Sequence, residues 1–352
     1  MAGGTDTFSF TGDLSGSIST NGGTIEQTLD SGSYDVFESK DAWKLQSIVC
    51  DDGNSTSSLE DRKATINVEK NEIVTCTFTN MKYATISGQK FLDVNADREW
   101  GTRESPDGVS DWPIQLRSHL DDETGLLEEQ NTYEIEPGYN GYLFEDLEPG
   151  TYYICEAMKD DSGWLQSYPY EGLTYDGFTY DGFTYDGLYC YMVTVDAGEE
   201  VQGLYFGNYK NANFGDSKWN DLNGNGVKDD GDEGIAGWTI FIDINEDGEL
   251  DSGDISTTTD VNGNYNFTVN PGDYTVCEVI EDGWEQTFPY LSTGFYCNTI
   301  EDIASGVSLR DSDYGFGNVK LYDIHGYKWN DIDGDGERDC EFDYGDLPPD
   351  DI

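Results

Sequence analysis

Two short stretches carry the oxygen chemistry of a hard divalent cation. Asp221, Asn223, Asn225, Gly226, Asp229 and Asp232 stand at positions 1, 3, 5, 6, 9 and 12 of a twelve-residue run. Alternate side chains in such a run converge on one point. The glycine permits the sharp turn, and the carbonyl of position 7, here Val227, adds a ligand. Asp243, Asn245, Asp247, Gly248, Asp251 and Asp254 repeat the spacing, with Glu249 at position 7. A solvated acidic turn would explain one such run but hardly two so close together. The expected cofactor is calcium in a structural role. An acidic loop cannot close until its carboxylates are neutralised, so binding energy becomes folding energy. Two further runs begin the same way. Asp331, Asp333, Asp335, Gly336 and Asp339 follow the pattern, but position 12 is Phe342, so Glu341 or Asp343 would have to substitute. Asp93, Asn95 and Asp97 also start it, with Arg98 where the glycine belongs.

The segments flanking these loops alternate apolar and polar residues, so strands rather than helices hold them. With 42 glycines and no long stretch of helical periodicity, helices should be short or absent. The chain carries 72 Asp and Glu against 18 Lys and Arg, a formal charge of −54. That surface repels nucleic acid and anionic membranes and attracts cations. A salt-rich habitat would favour the same acidity. Disorder, the other common cause of such a balance, is excluded by the 14% aromatic content and the alternation. No stretch reaches transmembrane length, and Met1-Ala2-Gly3-Gly4 is not a signal peptide.

The 352 residues suit three domains of roughly 100 residues each. Three segments line up: GSYDVFESKDAW from Gly32, GTYYICEAMKDDSGW from Gly150 and GDYTVCEVIEDGW from Gly272. Each reads as a glycine turn, a half-buried strand and an acidic bend before a tryptophan. Each copy closes on a similar strand ending at Asn80, Asn208 or Asn318. The second and third also open alike, with SGQKFLD from Ser87 and GDSKWND from Gly215. Boundaries are therefore expected to give domains at 1–81, 82–210 and 211–320 and a tail at 321–352. The fold class expected is all-β: tandem small antiparallel β-sandwiches (Ig-like or prealbumin-like), joined as a rod by linkers too short to be floppy. Cysteines fall one pair per copy: Cys50 with Cys76, Cys155 with Cys190, Cys277 with Cys297, leaving Cys340. Three local disulfides and an oxidising compartment follow, with buried free thiols as the alternative.

This pattern resembles the prealbumin-like B-repeat domains of microbial surface proteins and adhesins, of the SdrD B and Cna-B type. The most specific stretches are KWNDLNGNGVKDDGDEGIAGWTIF from Lys218 and TTTDVNGNYNF from Thr257; the first domain looks like a sister branch of the same fold. The resemblance implies an extracellular, cell-surface stalk without catalytic turnover. It also implies candidate Lys–Asn isopeptide bonds between first and last strands, assisted by a buried acid: Lys90, Glu156 and Asn208 in the second domain, Lys218, Glu278 and Asn318 in the third. A snorkelling lysine, an ion-paired glutamate and a turn asparagine would look the same in sequence.

The first domain has Glu38 and Asn80 in the corresponding places but no lysine ahead of them, so its opening strand is expected to be missing. At the other end LYDIHGYKWND, from Leu321, has the form of an opening strand with Lys328 in register, and too little chain follows for another sandwich. The expectation is strand donation. Tyr322–Asn330 of one subunit would complete the first domain of the next, head to tail. Lys328 would meet Asn80 and Glu38, and Cys340 would pair across the joint. A chain cut from a longer adhesin would show the same two ends.

Other features carry less. Tyr170–Tyr189 holds a Tyr-Asp-Gly repeat that fits either a contact loop for subunits or glycans, or an extended hairpin. Asn54 and Asn266 begin glycosylation sequons. With two histidines and no P-loop, dinucleotide fingerprint or HExxH, an enzyme is not expected. Three readings compete: a homopolymeric filament subunit, a stalk segment of a larger adhesin, and a glycan-binding module on a host surface.

Overall fold

The computed structural model describes residues 6–19, 21–39, 43–101, 104, 110–136, 139–158, 163–170, 174–175, 178–179, 184–290, 297–310 and 314–329. These residues are built of strands, and the one helical element among them is a 3-10 turn at Glu123–Gly125. By contact density the chain divides into two compact units. One comprises 1–214, 267–273 and 300–309, and the other 215–266, 274–299 and 310–352.

In the first unit, a five-stranded sheet runs in the order Gly16–Ile18, Phe8–Gly12, Gly32–Ser39, Lys63–Val68, Thr56–Ser58, and a separate ladder joins Trp43–Cys50 to Cys76–Lys82. Leu45, Ile48 and Ala64 form the small core between them. Beyond residue 82 the same unit holds a second pair of sheets. One has the order Leu126–Asn131, Pro113–Arg117, Gly150–Glu156, Leu188–Val195, Thr184–Tyr185. The other has Tyr133–Glu136, Tyr139–Leu147, Ala84–Leu92, Phe206–Lys210, Trp164–Tyr168. Ile86, Phe91, Trp112, Ile114, Phe144 and Phe206 lie in the core they share. The architecture is that of small β-sandwiches in tandem.

The second unit contains the sheet Lys218–Asn220, Phe316–Lys320, Trp284–Phe288, and most of a four-stranded sheet ordered Ile255–Thr258, Thr239–Ile242, Gly272–Glu278, Asn298–Ile303. Its two sheets repeat the arrangement seen after residue 82. In both, the opening strand runs parallel to the closing strand: Lys90 opposes Phe206 and Leu92 opposes Asn208, while Lys218 opposes Phe316 and Asn220 opposes Asn318.

Three disulfides tie neighbouring strands, Cys50–Cys76, Cys155–Cys190 and Cys277–Cys297, as the cysteine spacing suggested. Cys340 and the run Asp331, Asp333, Asp335 and Asp339 lie outside the described residues. So does part of the tyrosine repeat, whose described residues form the short ladders Thr174–Tyr175 with Phe178–Thr179 and Thr184–Tyr185 with Leu188–Tyr189.

Candidate calcium loops and buried lysine sites

The opening strand Ala84–Leu92 alternates, so Ala84, Ile86, Gly88 and Lys90 share one face, and that face is the core. The period of the strand carries an ammonium into the interior. Lys90 is fully buried, as is Lys218 in the corresponding strand of the second unit. Each amine meets the same set of partners. Lys90 Nζ donates to Asn208 Oδ1 and to the Phe206 carbonyl at 3.2 Å, and lies 3.4 Å from Glu156 Oε2. Asn208 Nδ2 donates to Glu156 Oε1 at 3.0 Å. Lys218 Nζ lies 2.5 Å from Asn318 Oδ1, 3.3 Å from the Phe316 carbonyl and 3.4 Å from Glu278 Oε2.

Burial opposes charge on both members of each pair. It lowers Lys90 and Lys218 to about 8, although Glu156 and Glu278 pull the other way. Burial raises Glu156, and pushes Glu278 up to about 7. A neutral amine beside a protonated acid, negligible in water, thereby becomes accessible next to a carboxamide.

Two tryptophans absent from the sequence-based sets complete these sites. Trp112 lies with its ring centroid 4.4 Å from the Lys90 amine, and Trp238 lies 4.5 Å from that of Lys218. Each is met edge-on by a second tryptophan, Trp164 or Trp284. The Trp164 and Trp284 positions were visible as the tryptophan closing each repeat segment. Trp112 and Trp238 were not, because each immediately precedes a different strand, Pro113–Arg117 or Thr239–Ile242, whose register alone brings it over the amine.

The first domain holds the same frame. Glu38 is buried, Asn80 Nδ2 donates to its Oε1 at 2.7 Å, and Phe8 meets Trp43 edge-on in the place of the tryptophan pair. The cation is different: Arg62 Nη2 donates to Glu38 Oε2 at 2.8 Å and to Asn80 Oδ1 at 3.4 Å. Lys328, expected to approach this pair from another subunit, is exposed in the described tail.

The loops proposed for calcium have one backbone plan. Positions 4 and 6 are left-handed in each: φ is 69° and 76° at Gly224 and Gly226, and 61° and 79° at Glu246 and Gly248. The carboxylate of position 1 accepts the position 6 amide, Asp221 from Gly226 at 2.7 Å and Asp243 from Gly248 at 2.7 Å. The amide oxygen of position 3 accepts from position 5, Asn223 from Asn225 and Asn245 from Asp247. Asp221 and Asp243 are buried, and among the described residues no lysine or arginine forms an ion pair with either carboxylate, a donor set that suits a hard divalent ion.

The run from Asp93 follows the same plan. Ala96 and Arg98 take left-handed φ of 57° and 65°, so the arginine adopts the conformation for which glycine is preferred. Arg98 N donates to Asp93 at 3.2 Å and Glu99 N to Asp97 at 2.8 Å. Glu104, at position 12 and passed over in the sequence, brings a carboxylate oxygen within 4.8 Å of those of Asp93 and Asp97. Asp93 is fully buried and its Oδ1 accepts no hydrogen bond.

A turn in the second repeat has an arginine where the loop at 243–254 begins with Asp243. Tyr153 opposes Arg117 as Thr275 opposes Asp243, so Arg117 occupies the strand position that begins the loop at Asp243. Its buried guanidinium donates to Gln115 Oε1 at 2.9 Å and to the Asp122 carbonyl, beneath the Tyr185 ring at 3.6 Å. An internal cation closes this turn.

Residues 212–294 match the SdrD B-like domain family and residues 1–82 match a prealbumin-like fold domain family. Those two segments are thus similar to an SdrD B-like domain and a prealbumin-like domain, respectively. Serine-aspartate repeat-containing protein D of Staphylococcus aureus is 28% identical over 156 residues, 42% of this chain and 11% of the relative. Serine-aspartate repeat-containing protein C of the same species is 32% identical over 139 residues, 38% of this chain and 14% of the relative. The chain therefore spans a small fraction of either relative. Among solved structures, the major pilin subunit of Bacillus cereus aligns over 89% of this chain and 94% of its own, at 12% identity and a TM-score of 0.32.

Proposed function

We propose that this chain is an extracellular structural subunit of a cell-surface fibre, non-catalytic, stiffened by calcium and built to join its own kind head to tail. One observation carries the reading. The edge of Cys76–Lys82 that faces away from Trp43–Cys50 has no strand partner among the described residues, whereas the closing strands Phe206–Lys210 and Phe316–Lys320 are paired on both sides. The tail at 321–329 has the opening-strand pattern but forms no strand among the described residues, and Ile324 is 96% exposed where Ile86 and Phe214 are fully buried. An open strand edge, and a segment of matching pattern that lies outside every sheet among the described residues, favour strand addition between copies. Their places at opposite ends of the sequence make the contact heterologous, which propagates.

Within each subunit, the Lys90 and Lys218 sites support an isopeptide bond. The neutral amine attacks Cγ of Asn208 or Asn318, the bond to the carboxamide nitrogen breaks, and that nitrogen leaves as ammonia. Glu156 or Glu278 polarises the carbonyl and relays the proton from amine to leaving group. Calcium is held by the two loops of the second unit, and by Asp93, Asn95, Asp97 and Glu104 in the first.

The test is the mass of the purified chain in solution with calcium, compared with Ile324→Asp, which puts a charge at a core position of the donated strand. Concentration-dependent assembly lost in the variant supports the fibre. A wild-type chain that stays monomeric at high concentration removes it, and leaves a stalk segment of a larger adhesin. That second reading is favoured by the small share of the serine-aspartate repeat proteins that the chain spans.

A further inference from the structure

We infer that Arg62 is an unreactive surrogate for lysine in the first domain, and that it keeps the joint between subunits non-covalent; the inference rests on the strand-donation reading. The arrangement around it shares its central contacts with the two lysine sites. A cationic nitrogen touches Glu Oε2 and Asn Oδ1 in all three, and in the first two domains Asn Nδ2 donates to Glu Oε1. An arginine side chain stays protonated and its delocalised nitrogens are poor nucleophiles, so Asn80 keeps its carboxamide.

Arg62 is also firmly held. Its Nε donates to the Glu38 carbonyl and its Nη1 to the Trp43 carbonyl, each at 3.3 Å, while Glu38 N donates to the Arg62 carbonyl at 2.9 Å. Glu38 is almost fully buried and Arg62 three-quarters buried, so the guanidinium supplies the charge that the interior carboxylate requires. Arg62 reaches the site from the turn before Lys63–Val68, a strand of the other sheet, and the edge of Cys76–Lys82 away from Trp43–Cys50 has no strand partner among the described residues. The occupant of that edge is the segment Tyr322–Trp329 of a second copy. Its Lys328 arrives in the register of Lys90 and Lys218, and finds its place beside Glu38 and Asn80 taken. Strand exchange then remains reversible while the interior of each subunit is locked.

The full chain and its Arg62→Ala and Arg62→Gln variants would be assembled with calcium and examined twice, by native size and by mass after boiling in denaturant. Arg62→Gln keeps a hydrogen-bonding group at the position should alanine compromise folding. The expected result is assembly in all three, complete dissociation of the wild type on boiling, and boil-resistant dimers and longer ladders in the variants. The joined peptides should contain Lys328 and Asn80 and be lighter by one ammonia, and adding Lys328→Arg should remove them. Wild-type ladders joined at Lys328 and Asn80 would overturn the inference, as would folded, assembled variants without the bond. Absence of native assembly in every chain would instead overturn the strand-donation reading on which it stands.

Discussion

Lys218 and Asn318 lie on neighbouring parallel strands, with the amine 2.5 Å from the carboxamide oxygen although 100 residues separate them in sequence. A bond between them would close nearly the whole repeat into one loop. The chain should therefore weigh less than its sequence by one ammonia for each bond, two in all. Glu156→Gln and Glu278→Gln should each restore one, measured by intact mass. Loss of the Lys218 bond should cost up to about 5 kcal/mol of unfolding free energy by loop entropy. An unaltered wild-type mass would eliminate both bonds.

Trp238 covers the Lys218 amine, and Trp112 that of Lys90. Trp238→Ala should open a cavity, destabilise the second unit by about 3–5 kcal/mol, and hydrate the amine so that it keeps its proton. Intact-mass measurements during refolding should then show slower ammonia loss at that site alone. An unchanged rate would mean that the ring packs there without affecting the chemistry.

A chain that cannot form the bond, Asn318→Ala, retains a titrating pair. Glu278 is raised in the folded state, so it contributes stability below the ordinary glutamate range that is lost as pH rises through about 7. Lys218 is lowered, so it contributes stability at alkaline pH that is lost as pH falls through about 8. The site's contribution should thus be smallest between about 7 and 8. Thermal melts of Asn318→Ala, with and without Lys218→Met and Glu278→Gln, would isolate it from the acid loops. A difference that stays flat across pH would contradict the burial argument.

Calcium removal should act unevenly. At free calcium 100 times its dissociation constant, each occupied loop contributes about 2.7 kcal/mol. Chelation should raise hydrogen exchange at 221–232 and 243–254, and Asp221→Ala or Asp243→Ala should weaken the calcium-dependent rise in melting temperature. The turn at 118–125, closed by Arg117, should exchange equally with and without the ion. Chelator-sensitive exchange there would show that the guanidinium does not replace a metal.

Much of this was legible because it is local. Oxygen side chains every second residue, a glycine at position 6 and cysteines paired within each copy announce themselves over a few residues, and the strand alternation follows from the same short range. The Glu–Asn pairs emerged once the repeats were aligned. What stayed hidden depends on register between distant strands. Arg62 approaches Glu38 and Asn80 from the turn before Lys63–Val68, whose counterpart in the second repeat, Asp186-Gly187 before Leu188–Val195, carries no arginine. Arg117 and Asp243 share a position only when their strands are laid against Gly150–Glu156 and Gly272–Glu278. Glu104 was passed over because Arg98 seemed to forbid the turn, yet the backbone takes the left-handed form there all the same.

The parallel pairing of Lys218–Asn220 with Phe316–Lys320 has a mechanical meaning. A pull on the two ends of this repeat enters along one of these strands and leaves along its neighbour, so the ladder is loaded in shear and its hydrogen bonds resist together rather than peeling one at a time. A covalent tie at Lys218 and Asn318 would carry the tension straight across. The hundred residues between them, both acidic loops included, would hang as slack outside the line of force.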